Sequence, residues 1–113
     1  MNYVDGFVTA VPTADKETYR AFCHRMSGIF KEYGALEVVD CWGDDVPPGK
    51  LTSFPLAVQA EAHETVCFGY TTWASRAARD EAWKKVMADP RIQSGGNPPF
   101  DGKRMIYGGF ERL

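Results

Sequence analysis

Long apolar runs, an excess of either charge and a cysteine framework are all missing from this 113-residue chain. Thirteen cations against fifteen acids leave a formal net charge of −2, which gives no electrostatic reason to approach nucleic acid or an anionic lipid surface. The opening MNYVDGFVTAVP has no basic leader and sets Asp5 and Gly6 inside its apolar stretch, so it resembles neither a signal peptide nor a membrane span. A cytoplasmic location is expected. The three cysteines, Cys23, Cys41 and Cys67, are odd in number and lack CxxC spacing, which argues against a disulfide framework or a zinc knuckle. They are read as small buried thiols. No repeat or low-complexity tract is present.

What is there suits an ordinary globular protein, with 44% hydrophobic and 25% charged residues. One domain spanning 1–113 is expected, able to bury roughly 60–70% of its unfolded surface. YVDGFVTAVP (3–12) reads as a first strand, with Thr13 as a helix cap. Tyr19, Phe22, Cys23, Met26, Phe30 and Tyr33 then recur at helical spacing down to Gly34. Strands follow at 35–43 and 64–73. Between them, SFPLAVQA suits a short helix better than a strand, with Ser53 as N-cap and Pro55 in the first turn. Ser75 caps a second long helix that ends at Asp89-Pro90 and buries Ala78, Ala82, Trp83, Val86 and Met87. RMIYGGFER closes the chain as a strand. Strand, helix, strand, short insertion, strand, helix, strand is the order of an α+β, ferredoxin-like βαββαβ sandwich.

Two helices cover one face of such a sheet, and the other face should then be polar. It is not. Tyr3, Phe7 and Val11 alternate with Val4, Val8 and Ala10, and Met105 and Tyr107 with Ile106 and Phe110, so both faces want cover. A second copy is the simplest one, giving a homodimer packed sheet to sheet as a dimeric α/β barrel. The unusual glycines Gly6, Gly69, Gly108 and Gly109 would admit a bend or a neighbouring side chain.

YVDGFVTAVP, IFKEYGALEVVDCWGDDVPPGK, SRAARDEAW, the DPR at 89–91 and FDGKRMIYGGFE together resemble the YbaA-like family of small bacterial proteins of unknown function. The resemblance spans nearly the whole chain. It implies the dimeric α/β barrel, an architecture shared with cofactor-free monooxygenases, haem-degrading enzymes, muconolactone-isomerase-like proteins and ligand-binding regulators, and it carries over no catalytic residues.

Candidate sites come from the residues themselves. GDDVPPGKLT mimics a phosphate loop but has the wrong glycine spacing, Leu51 in place of a hydroxyl, and two prolines beside Asp44 and Asp45. It reads as a turn with Pro48 and Gly49 central. His24 lies roughly 160° from the helix stripe and His63 sits in a polar turn, with no third ligand at recognisable spacing for either. No metal or cofactor is expected. Asp40 and Trp42 share one face of the second strand, with Asp45 just beyond. Lys103 and Arg104 offer cations, and Tyr70 and Tyr107 offer hydroxyls, to an apolar pocket for a small-molecule ligand. These seven residues are the candidate pocket. The readings they support are a cofactor-independent enzyme on an aromatic or carbonyl compound, a non-catalytic ligand-binding module, or a protein-interaction module.

Overall fold

Turn chemistry and residue alternation set the elements of the computed structural model, which describes residues 2–113. The order is β1 (Tyr3–Pro12), a 3₁₀ turn (Thr13–Asp15), α1 (Lys16–Glu32), β2 (Glu37–Trp42), α2 (Phe54–Ala57), β3 (Glu64–Trp73), α3 (Arg76–Ala88), α4 (Pro90–Gln93) and β4 (Ile106–Glu111). The strands form one antiparallel sheet in the order β2-β3-β1-β4. This is the split βαβ topology of a ferredoxin-like α+β fold. No helix among the described residues is long and apolar enough to cross a membrane.

Two serine caps act as their positions suggest. Ser53 Oγ accepts from Leu56 N at 3.0 Å and Ser75 Oγ from Ala78 N at 3.1 Å, each satisfying an amide that the first turn leaves free. SFPLAVQA is thereby helical. Thr13 does not cap α1. Its amide is still tied to the sheet, donating to His63 O at 2.8 Å, and its hydroxyl pairs with Thr65 Oγ1 at 2.7 Å, so α1 starts one 3₁₀ turn later. Asp89-Pro90 ends α3 and then starts α4, because Asp89 accepts from Arg91 N at 2.8 Å and Pro90 needs no donor there.

The register assigns every strand residue to a face. Along β1, Tyr3, Asp5, Phe7, Thr9 and Val11 point to the long helices, as do their partners Trp73, Thr71, Gly69, Cys67 and Thr65. On this side Ile29, Phe30, Ala35, Trp73, Ala82 and Val86 form one core cluster, and Val11, Tyr19, Cys23 and Cys67 another. Phe100 folds back from the proline-rich loop onto Phe22 and Tyr19, with centroids at 5.8 and 6.2 Å. Trp83 and Met87, expected in the core, lie at its rim. Trp83 keeps an edge-on contact with Phe30 at 5.0 Å, while Met87 is exposed because α3 turns only Ala82 and Val86 fully inward.

On the opposite face, α2 covers one end only, seating Val58 against Val8, Ala10 and Val66. The rest is open and apolar: Phe54, Leu56, Phe68, Ile106 and Phe110 are each between 43% and 59% exposed. The double glycine of β4 divides between the faces. Gly108 pairs with Gly6 on the open side, where the Phe110 ring lies against both. Gly109 sits opposite Asp5 on the helix side, under Tyr3 and Arg79, where a β-carbon would collide with both side chains.

Candidate functional site

α1 crosses the edge strand β2 and leaves a groove of about 350 Å³ between them. The helix wall presents Lys16, Tyr19, Arg20, Cys23, His24 and Ser27, spaced i, i+3, i+4, i+7, i+8 and i+11 so that all share one helical face. The strand wall presents Asp40 and Trp42, which alternation puts on the same side. Tyr19 and Trp42 rings stand 6.2 Å apart, and Lys16 Nζ lies 5.5 Å from the Trp42 ring centroid, within cation–π reach.

Burial dominates the electrostatics of the inner wall. The edge position leaves Asp40 exposed as a residue, yet burial of its carboxyl raises its pKa, opposed only by the Cys23 thiol and the charge of His24. Burial also pushes Cys23 and Cys67 each up to about 12 and raises the Tyr19 phenol above its ordinary value. At neutral pH the thiols are therefore protonated and poor nucleophiles, and the phenol remains a donor. Cys41, expected to be buried, is exposed, because it points to the open side of an edge strand.

The other candidates do not converge on this groove. Asp45 lines a second hollow of about 340 Å³ on the open side, with Val46, Phe54, Val66 and Phe68; Trp42 borders both hollows. Tyr70 and Tyr107, expected to serve one pocket, lie on opposite faces of the sheet. Gly6 pairs with both Tyr70 and Gly108, so Tyr107, one residue earlier, faces the other way. Arg104 is committed elsewhere: it donates to Glu64 at 2.7 and 2.8 Å, to Asp101 Oδ2 at 3.1 Å and to Gln59 O at 2.8 Å. Asp101 also accepts from Lys103 N at 3.0 Å, so the FDGKR segment is a turn that seats Arg104, and Lys103 remains exposed.

The family model described as a protein of unknown function, DUF1428, matches residues 2–102. The chain belongs to this family. The uncharacterized protein YbaA of Escherichia coli K12 is 52% identical over 114 residues, covering 100% of this chain and 97% of that one, and YbaA from Shigella flexneri matches to the same extent. Among solved structures, a dimeric ferredoxin-like protein from an uncultured marine organism aligns with a TM-score of 0.50 at 12% identity, covering 100% of this chain and 95% of that one. That likeness is one of fold.

Two features of this DUF1428 member escaped the sequence reading. One is the polar row Lys16, Arg20, His24 and Ser27, flanking the apolar stripe at the same helical spacing; the spacing was the available signal. The other is the environment of Asp5, whose carboxylate accepts from Trp73 Nε1 at 2.9 Å, Trp83 Nε1 at 3.1 Å, and Arg79 Nη2 and Nε at 2.8 and 3.0 Å. Its donors lie 68 to 78 positions away, beyond any local pattern. Glu61, His63 and Glu64 also bring ligand-type atoms within 4.8 Å of one another. There Glu64 already accepts from Arg104 and from Glu61 N at 2.8 Å, so its lone pairs serve the fold.

Proposed function

We propose that this chain is a one-domain, cytoplasmic, homodimeric protein that binds a small molecule in the groove between α1 and β2. The observation that carries the binding reading is Asp40: a carboxyl partly desolvated beside Cys23, with only the charge of His24 opposing and no ion pair among the described residues, beside an aromatic wall. A group held at that cost without a structural partner is a hallmark of sites. The dimer reading rests on the open face, since a contiguous apolar patch of Phe54, Leu56, Phe68, Ile106 and Phe110 is uncommon on a monomer. The structural neighbour of like fold is itself described as dimeric. Face-to-face pairing would complete an α/β barrel, with Tyr70 inside it and the α1–β2 groove outside.

Catalysis is a second reading favoured by the same carboxyl, since a base of raised pKa beside a bound ligand can take a proton. The buried Cys23 and Cys67 thiols are poor nucleophiles for a covalent route. The test combines light scattering with ligand titration. A dimer at micromolar concentration that Phe68→Asp converts to a folded monomer, together with Trp42-dependent fluorescence changes on titrating small aromatic acids, phenols and ketones, is the expected result. A folded wild-type monomer would overturn the assembly, and a silent titration across all three classes would overturn the groove.

A further inference from the structure

The charges around the groove are unlike those elsewhere in the molecule. Arg79, Arg91 and Arg104 each hold two carboxylates: Asp5 and Asp80, Glu32 and Asp89, Glu64 and Asp101. They are occupied as structural ties. Lys16, Arg20 and His24, one helical turn apart along the outer rim of the groove, are not. Arg20 commits only its Nε, to Glu17 at 3.0 Å, and Lys16 and His24 make no ion pair among the described residues. Below this rim lie the Tyr19 and Trp42 rings, and across from it the Asp40 carboxyl.

The order of these groups constrains an occupant. A cationic rim with free donors selects an anionic head, and a carboxylate fits the fork of a guanidinium. The aromatic walls select a flat apolar body. The same anion cannot lie against Asp40, where like charges would repel, so the end of the occupant nearest Asp40 has to donate a hydrogen bond. Resting on the groove reading above, we propose that the α1–β2 groove binds a single-ring hydroxyaryl carboxylate. Its carboxylate lies on Lys16 and Arg20, its ring lies against the Trp42 indole that covers the buried Tyr19, and its hydroxyl donates to Asp40.

The test is isothermal titration calorimetry of the full chain with 4-hydroxybenzoate, and with neutral phenol for comparison, on the wild type and on Lys16→Ala/Arg20→Gln. Both substituted residues are exposed, so melting curves should match the wild type and report folding independently. The expected result is saturable binding of 4-hydroxybenzoate that weakens about tenfold or more in the double variant and falls with added salt, while phenol binds weakly and equally to both proteins. Phenol binding as tightly as 4-hydroxybenzoate, or a double variant with undiminished affinity, overturns the anion assignment and leaves the groove reading standing. Absence of heat from either probe, with unchanged tryptophan fluorescence, overturns both.

Discussion

Asp5 and Asp40 lie on the same face of the same sheet, under the same pair of helices, and are solvated in opposite ways. Asp5, on the central strand β1, is surrounded by donors: two indoles and a guanidinium that reaches it through two nitrogens. Asp40, on the edge strand β2, is partly desolvated beside a thiol and a phenol and makes no ion pair among the described residues. The difference separates a carboxylate that the fold uses from one that it leaves available. A buried charge with complete partners ties elements together, whereas one with incomplete partners costs stability.

The largest effect should come from breaking the complete set. Asp5→Ala leaves two indole N–H groups without their acceptor and Arg79 with Asp80 alone, and we expect a loss of roughly 2–4 kcal/mol in urea unfolding. A loss under about 0.5 kcal/mol would mean that the cluster is an incidental surface arrangement. Gly109→Val attacks the same cluster from β4. Its side chain would displace Tyr3 and Arg79, whose guanidinium also stacks 5.2 Å from the Tyr3 ring, for an expected cost of roughly 1–3 kcal/mol. Gly108→Val points instead to the open face, where it meets only the Phe110 ring at ordinary contact distance, so unfolding of the Phe68→Asp monomer should barely register it. Equal destabilisation by the two variants would show that backbone conformation, and not the Asp5 cluster, is what β4 requires.

The sequence carried the elements well where a local rule decides them. Ser53 and Ser75 cap because amides follow at fixed offsets, and the α1 stripe follows from a 3.6-residue period. Thr13 failed as a cap because a partner 52 positions away, Thr65, competes for its hydroxyl. Of the groove's lining, the sequence reading singled out only Asp40 and Trp42, which share a strand face by simple alternation. Tyr70 and Tyr107 were misjoined because β-registers between strands far apart in sequence decide which face each takes, and no pattern within either strand contains that information. Arg104 looked like a free cation for the same reason: Glu64, its partner, is 40 positions upstream.

Glu64 sharpens the comparison by pH. Its hydrogen bonds from Arg104, aided by the Glu61 amide, lower its pKa from 4.5 to about 2. A carboxyl depressed on folding contributes stability that is fully present above the unfolded value and is lost as pH falls towards the folded one. Wild-type protein should therefore lose more stability between pH 4.5 and about 2 than Glu64→Gln does. Parallel urea midpoints for the two proteins across that window would show that Arg104 does not hold Glu64 in solution.

Asp40 should show the opposite sign and the smallest change in stability. Burial raises its folded pKa above the ordinary 3.8, so the folded chain binds this proton more tightly than the unfolded chain does. Its contribution is then most favourable below pH 3.8 and declines as pH rises through the raised folded value. Asp40→Asn removes that cost while keeping the shape, so at pH 7 the variant should be as stable as the wild type or slightly more so, within about 0.5 kcal/mol. If Asp40 accepts a ligand hydroxyl, the same substitution should weaken 4-hydroxybenzoate by roughly 0.5–1.5 kcal/mol, and by more where the carboxylate's charge takes part, while leaving benzoate, which lacks the hydroxyl, almost unaffected. Melting curves and paired titrations read the two effects separately. A variant that loses stability as the Asp5 variant does, yet binds both acids normally, would place Asp40 among the ties of the fold and erase the contrast between the two carboxylates.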